Sequence, residues 1–156
     1  MVAGLALLLA VTALFTSLVI GRAADDSRTL AGNQAAAAAA ATTVVEKMLG
    51  YDYRRFDQHT QEVSTMMSGP FRNEFVHAAT TLVKPLAVQN QAMVVAKVSK
   101  VAVMSTPRQA DVKILAFVDQ RTTSTKLQHP QVDQNRVILT MSQVGGRWLV
   151  SKVEAF

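Results

Sequence analysis

The protein has 156 residues, with 16 lysines and arginines against 11 aspartates and glutamates, a net charge of +5 and no cysteine. The lack of cysteine excludes disulfides and thiolate metal sites. The basic side chains are dispersed, and Arg54-Arg55 is their only adjacent pair. A groove for single-stranded nucleic acid needs a basic stripe interleaved with aromatic residues, so we expect no nucleic-acid partner.

The chain begins with an apolar stretch, Val2–Ile20, of nineteen residues without a charge. At about 1.5 Å rise per residue, a helix of this length nearly spans the roughly 30 Å hydrocarbon core of a bilayer. We predict a transmembrane anchor over residues 1–21. The apolar side chains that would enter the bilayer are Val2, Leu5, Leu8, Leu9, Leu14, Phe15, Leu18 and Ile20.

A cleaved secretory signal is the alternative interpretation of this stretch, because Gly21-Arg22-Ala23 ends in a small residue. Against it, the apolar run exceeds the roughly 7–15 residues of a signal core, and no lysine or arginine precedes it. The orientation stays open. Arg22 and Arg28 follow the span and favour a cytoplasmic C-terminal part, whereas a basic stretch upstream of Met1 would favour the reverse.

The juxtamembrane segment and the first helix are predicted in residues 22–50. Ala35–Ala41 is a run of alanine, the residue with the highest helix propensity, and apolar residues at helical spacing follow it. We predict that this helix ends near Leu49, with Gly50 in a left-handed conformation. A low-complexity linker is the alternative for the alanine run.

Two further helices are predicted between residues 51 and 85. Asp57 is a suitable N-cap for a short helix through Met66, and Pro70 favours the start of the next helix. Pro85 is expected to end or kink that helix, because proline has no amide hydrogen. The apolar positions of this helix share a face that we expect to meet the core: Phe71, Phe75, Ala78, Ala79, Leu82 and Val83.

The second half of the chain is predicted to form strands, because its apolar residues alternate and β-branched residues become frequent. We predict four strands, over residues 93–106, 110–122, 136–144 and 147–153. A shift in the alternation at Ser99-Lys100 indicates a bulge, and Gly145-Gly146 indicates a tight hairpin turn. In the second strand, Leu115 and Phe117 point away from the face that carries the other apolar residues.

Helices followed by antiparallel strands predict the α+β class. The expected architecture is an N-terminal transmembrane helix followed by about three helices packed on a curved four-stranded antiparallel sheet. Without the anchor, about 135 residues remain, enough for one compact domain. We therefore expect residues 22–156 to fold as one unit, in which residues 51–156 follow the first helix.

An ordered set of motifs runs through this predicted domain: Leu49-Gly50-Tyr51-Asp52-Tyr53, Ser68-Gly69-Pro70-Phe71-Arg72, Val83-Lys84-Pro85, Phe117-Val118-Asp119-Gln120, Arg136-Val137 and Val144-Gly145-Gly146-Arg147-Trp148-Leu149-Val150-Ser151. Together with the preceding apolar span, the set resembles the Mce-associated membrane proteins. These are single-span accessory proteins of the mammalian-cell-entry (Mce) lipid import systems of mycobacteria and their relatives.

The resemblance implies an NTF2-like (nuclear transport factor 2-like) cone, similar to the periplasmic domain of the type IV secretion scaffold protein VirB8. It implies a single-pass protein of the cell membrane, with its soluble domain on the outer, periplasmic or cell-wall side. The partners that it implies are the Mce proteins, the permease and membrane lipid.

Catalysis by a domain of this shape needs a carboxylate or histidine base in an apolar pocket, facing a tyrosine or a protonated acid. The candidate residues are Asp52, Asp57, His59, His77, Tyr51 and Tyr53. His77 follows Glu74 by three residues, which more often indicates a surface ion pair. No two histidines have metal-binding spacing, and no HExxH motif occurs. We expect no enzyme activity, no metal and no cofactor.

The remaining candidate residues concern binding. Arg54, Arg55 and Trp148 are predicted to lie at an interaction surface or at a cavity rim, although a lone tryptophan more often packs in a core. The expected function is that of a non-catalytic accessory subunit that stabilises or assembles a lipid, sterol or fatty-acid importer. A scaffold subunit of a secretion-type assembly is the alternative. So is a small lipid-binding domain, whose cavity some of the seven methionines could line.

Overall fold

The computed structural model describes the backbone of residues 2–155 and the side chains of residues 26–154. The chain divides into two compact units, Met1–Asn33 and Gln34–Phe156. The predicted anchor, Val2–Ile20, falls outside the residues whose side chains are described. Within the described part, no helix has both the length and the apolar content to cross a bilayer. The anchor therefore stays a prediction.

Three helical segments precede the long strands of the sheet, as the sequence predicts. The first is α1 (Val2–Leu49), and the second is α2 (Phe56–Ser64), which follows a short 3-10 helix (Tyr53–Arg55). The third segment changes its hydrogen-bonding pattern along its length. It consists of α3 (Gly69–Ala78), a π-helical segment (Ala79–Val83) and α4 (Lys84–Gln89).

The sheet has five antiparallel strands in chain order, whereas the sequence predicts four. The strands are β1 (Tyr51–Asp52), β2 (Met93–Arg108), β3 (Asp111–Thr123), β4 (Gln131–Val144) and β5 (Arg147–Ala155). The additional strand is β1, in which Tyr51 pairs with Val94 and Asp52 with Met93. Two residues are too short to produce a visible alternation, so the pattern gives no sign of this strand.

The predicted strand details are largely confirmed. The register between β2 and β3 shifts between Val98 and Lys100, where the bulge is predicted. Gly145 and Gly146 have φ angles of 56° and 77°, as a tight hairpin turn requires. The predicted third strand, over residues 136–144, begins too late, because β4 already begins at Gln131. Three of the first four residues of β4 are polar and all four pair with β3, so hydrophobic alternation does not reveal them.

The alanine run is helical and forms one side of the core. Ala37 and Ala41 are completely buried, and Val45 packs with them against the inner face of β3, which includes Val112 and Ile114. The small alanine side chains allow the backbone of α1 to approach the sheet closely. The prediction of a helix is confirmed, and the alternative of a linker is wrong.

Gly50 follows α1 for a reason different from the predicted one. It does not adopt a positive φ angle. A β-carbon at Gly50 would lie 2.9 Å from the carbonyl oxygen of Glu46 and 3.2 Å from that of Val94. Both oxygens belong to the backbone, so this position excludes a side chain where the chain passes between α1 and β2.

The start of α2 is also corrected. Asp57 lies within the first turn of α2 rather than at its N-cap, where its negative charge still faces the positive end of the helix dipole. The capping carboxylate is Asp52, which precedes the 3-10 helix and accepts a hydrogen bond of 3.0 Å from the Arg54 backbone N–H.

Pro85 does not end the third helical segment, which continues to Gln89. The chain instead leaves the α-helical pattern before the proline, in the π-helical segment. A π-helical turn contains more residues than an α-helical turn, so it rotates the side chains away from the positions that a period of 3.6 predicts. Leu82, predicted to face the core, is consequently exposed.

Candidate functional site

A groove with a volume of about 590 Å³ lies between the end of α1, α2 and the start of β2. It brings together four candidate residues from the sequence: Tyr51, Asp52, Arg55 and His59. Glu46 and Arg121 line the groove as well. This polar groove is the place where the sequence candidates for chemistry come closest to forming a site.

Asp52 is fully engaged by Arg54. The guanidinium Nη2 of Arg54 lies 2.6 Å from Asp52 Oδ2, and its Nε lies 2.9 Å from Oδ1. The hydrogen bonds from the Arg54 side chain and backbone lower the pKa of Asp52 to about 2. A carboxylate with so low a pKa is a weak base at neutral pH.

His59 and Glu46 stabilise the fold at the wall of the polar groove. His59 Nε2 lies 2.8 Å from the carbonyl oxygen of Lys47, in the last turn of α1, where helical carbonyls lack a partner within the helix. Glu46 Oε1 accepts a hydrogen bond of 3.2 Å from the Val98 backbone N–H, and its other oxygen lies 3.4 Å from Lys97 Nζ. Both side chains therefore join α1 to neighbouring elements.

The other candidates for catalysis are not brought into the polar groove, apart from Tyr51. Asp57 forms an ion pair of 2.6 Å with Lys84 at the surface, and His77 is exposed on α3. Tyr51 packs edge-on against Phe56 with ring centroids 5.4 Å apart, and burial raises the pKa of its hydroxyl. Tyr53 carries the Arg54 guanidinium over its ring at 5.9 Å.

Trp148 lies at the opposite end of the sheet from Arg54 and Arg55. It pairs with Gln143 beside the β4–β5 hairpin and packs against the core, whereas Arg54 contacts Met93 at the start of β2. The three residues predicted to lie at an interaction surface or at a cavity rim are therefore found in different parts of the fold.

A second groove, on the outer face of the sheet, has a volume of about 780 Å³. Its centre is a row of register partners across three strands, Lys100 on β2, Phe117 on β3 and Arg136 on β4. Phe117 is 37% exposed, and both cations are exposed. The alternation of β3 places Phe117 on this face, but Phe117 is not among the site residues predicted from the sequence. An aromatic residue on the face opposite the buried one is the feature of the sequence that could have indicated this groove.

Among the described residues, no group of histidine, aspartate and glutamate side chains is arranged to hold a metal ion. In the same part of the chain, every buried polar side-chain atom has a hydrogen-bond partner. The described grooves thus contain no buried polar side chain held ready for a ligand.

Residues 1–156 match the model of a family described as "Uncharacterized protein Rv1363c/MT1408-like". The chain belongs to this family. It is also 30% identical over 105 residues, 67% of its length, to the uncharacterized protein Rv1362c of Mycobacterium tuberculosis (strain ATCC 25618 / H37Rv). The match covers 47% of Rv1362c, so the chain spans about half the length of the relatives that it matches.

The fold of this family member is similar to that of two type IV secretion proteins. An IcmL-like type IV secretion system protein from Legionella pneumophila has a TM-score of 0.66 at 13% identity, with 76% of this chain and 88% of that chain covered. VirB8 of Agrobacterium tumefaciens has a TM-score of 0.62 at 11% identity, with 80% and 92% covered. At these identities the similarity shows the fold, and the predicted VirB8-like, NTF2-like class is confirmed.

Proposed function

We propose that this protein is a non-catalytic, membrane-anchored accessory subunit of an Mce lipid import complex, which stabilises or assembles the transporter. In this proposal, Val2–Ile20 lies in the cell membrane and residues 34–156 lie on its outer side. The resemblance to Mce-associated proteins supports it, as do a mycobacterial relative and a fold shared with proteins of type IV secretion systems.

The observation that carries the proposal is the row of Lys100, Phe117 and Arg136 on the outer face of the sheet. Exposed aromatic residues beside arginine are typical of the energetically important centre of protein interfaces. The two cations favour an acidic surface on the partner protein.

The polar groove supports a binding role over a catalytic one. Each of its three carboxylates has a partner. Asp52 is engaged by Arg54, Glu46 by Lys97 and the Val98 amide, and Glu62 by the Gln58 side chain. Its histidine caps α1. An acid–base catalyst needs a group whose pKa lies near the working pH, and the carboxylate of Asp52 is held far below that.

Purification of a tagged full-length chain from native membranes in mild detergent tests the proposal. We expect Mce proteins and the permease to be recovered with it. The substitution Phe117→Lys should reduce that recovery by about tenfold or more, because it places a third cation in the row. Val144→Lys, on an exposed apolar residue of β4, is the matched control and should leave recovery unchanged. If the wild-type chain never recovers import subunits, the proposal fails.

A scaffold subunit of a secretion-type assembly is the second candidate, favoured by the similarity of fold to VirB8. The same purification distinguishes the two, since secretion subunits would then replace the Mce proteins. The side of the membrane is tested by adding protease to intact spheroplasts. Degradation of residues 34–156 is expected, and protection until lysis would contradict the proposed location.

A further inference from the structure

A further groove, with a volume of about 460 Å³, lies between the π-helical segment, α4 and the loop that joins β3 to β4. We call it the leucine groove. Its lining is largely apolar and contains a single charged side chain. The lining residues that matter here are Leu82, Val83, Leu86, Ala87, Leu127 and Lys126.

The helical wall of the leucine groove has its large apolar side chains in solvent. Leu82 and Leu86 are 66% and 60% exposed, whereas Ala79 and Ala87 on the same helical run are buried. The hydrophobic effect favours the opposite arrangement, in which the larger leucine side chains are buried and the alanines are exposed. Two neighbouring leucines held out on a rigid helix are typical of a surface that is covered by a partner.

The charge of the leucine groove indicates the chemistry of that partner. Lys126 is the charged residue in the lining, and it forms no ion pair with any residue of the described part of the chain. A second copy docked symmetrically on the groove would bring two Lys126 cations into one interface without an acidic partner, because the lining contains no aspartate or glutamate. An acidic side chain on a different protein removes this repulsion and pairs with the cation.

The shape of the leucine groove favours a protein segment over a small ligand. Pockets for small molecules enclose about 70–90% of the ligand surface. Here two of the apolar lining side chains are more than half exposed, so the groove is too open to enclose an acyl chain. Leucines four residues apart on a helix match the apolar stripe of another helix, whose side chains repeat at three and four residues.

We propose that the leucine groove binds an amphipathic helix of a partner protein. The apolar face of that helix packs on Leu82 and Leu86, and one of its acidic side chains pairs with Lys126. The groove is a second docking surface, separate from the outer face of the sheet. That the partner belongs to the import complex rests on the function proposed above.

Photo-cross-linking in native membranes tests this inference with the full-length chain. A benzophenone amino acid is placed at Val88, an exposed residue of α4, and cross-linked peptides are mapped by mass spectrometry. We expect one partner segment with apolar residues at helical spacing and an acidic residue. Leu82→Asp and Lys126→Glu should each lower the cross-linking yield about tenfold or more. Val132→Asp, on an exposed apolar residue of β4, should leave it within about twofold.

The inference is overturned if Val88 cross-links to another copy of this chain, to lipid alone or to nothing. It is also overturned if both variants keep the full cross-linking yield. Lys126→Glu changes only a loop side chain, so it carries the test if Leu82→Asp alters folding, which circular dichroism detects. If import subunits are recovered without a cross-link, the docking role of the leucine groove is wrong and the proposed function stands. If a helix of a protein outside the import complex is cross-linked, the docking role stands and the proposed function is wrong.

Discussion

Apolar side chains are buried differently on two helical stretches of the molecule, the part of α1 in the second unit and the helical run of residues 69–89. α1 buries alanines completely, at Ala37 and Ala41, while the run leaves Leu82 and Leu86 largely in solvent. On these two helical stretches, burial follows how closely the backbone approaches its neighbour, and not the size of the side chain. In the helical run the small alanines contact the rest of the fold, and Leu82 and Leu86 form the exposed wall of the leucine groove.

The difference arises from what each helix meets. α1 packs in the main core, with residues of β3, β4 and β5. The run of residues 69–89 supplies Ala79 and Ala87 to a smaller cluster around Phe56, which leaves the opposite side of the helix without cover. A satellite cluster of this size can hold a helix in place while one helix face remains available.

The largest expected effect contrasts a leucine of the main core, on β4, with an exposed leucine of the helical run. Leu139→Ala should lower the free energy of unfolding by about 2–5 kcal/mol, because Leu139 is fully buried in the main core and its loss leaves a cavity. Leu86→Ala, the matched control, should change it by no more than about 0.5 kcal/mol. Urea unfolding at equilibrium measures both, and equal losses would contradict the comparison.

The close contact of α1 is tested next, at Gly50. Gly50→Ala should destabilise the protein by about 1–3 kcal/mol, because its β-carbon would meet the backbone oxygens of Glu46 and Val94. Gly32→Ala is the control, since a β-carbon there has no atom within 4 Å and alanine favours the helix. Thermal unfolding followed by circular dichroism compares the two variants. A neutral Gly50→Ala would show that the contact is loose.

A smaller effect is expected where α1 meets β2 through a side chain. Glu46→Ala should cost about 1 kcal/mol, because it leaves the Val98 backbone N–H without its carboxylate acceptor. Hydrogen exchange of the Val98 amide should accelerate. Glu62→Ala serves as control, since Glu62 accepts its side-chain hydrogen bond from Gln58 at the surface. An unchanged exchange rate of the Val98 amide would contradict the hydrogen bond assigned to Glu46.

The smallest effect concerns acid. Arg54 holds the pKa of Asp52 at about 2, below the ordinary value of about 3.9. The ionised carboxylate therefore contributes stability above about pH 4, and this contribution is lost as the pH falls towards 2. Asp52→Asn should reduce the pH dependence of the melting temperature in that window, and only slightly, because the pair is exposed.

NMR titration of the Asp52 carboxyl group checks the same point directly. A midpoint near 2 is expected at low salt, and added salt should raise it because it screens the pair. Asp133→Asn, on an exposed residue of β4, is the control for the stability measurement. A midpoint of about 4 for Asp52 would contradict the capping role.

Much of the fold was predictable because periodicity reports burial directly. The alternation of β3 and the glycine pair at 145–146 gave correct strands and a correct turn. The errors occur where backbone contacts, and not side chains, decide the structure. β1 is held by two backbone pairs, and three of the first four residues of β4 are polar. Position 50 requires glycine because two backbone carbonyl oxygens lie close to it, and no local sequence pattern reveals that proximity.

The candidate site was less predictable for a related reason. Arg55 and His59, which are both candidates from the sequence, share the polar groove. His59 caps α1, and the Gln120 side chain donates a hydrogen bond to the carbonyl oxygen of Leu49. Both contacts join parts of the chain that are distant in sequence, so no local pattern predicts them. The leucine groove depends on a π-helical turn, which rotates Leu82 out of the face that an α-helical period assigns.

The position of α1 also sets an order of assembly. Strands β2 to β5 each pair with their neighbour in the chain, whereas Gln34 meets Thr106 and Leu49 meets Gln120 across 72 and 71 residues. Short loops close before long ones, so the strands should associate first and α1 should dock last. In kinetic terms, Val45→Ala should mainly speed unfolding, and Leu139→Ala should also slow folding. During synthesis at about 5–20 residues per second, α1 would wait roughly 5–20 seconds for the last of its partners, its apolar face within reach of a chaperone.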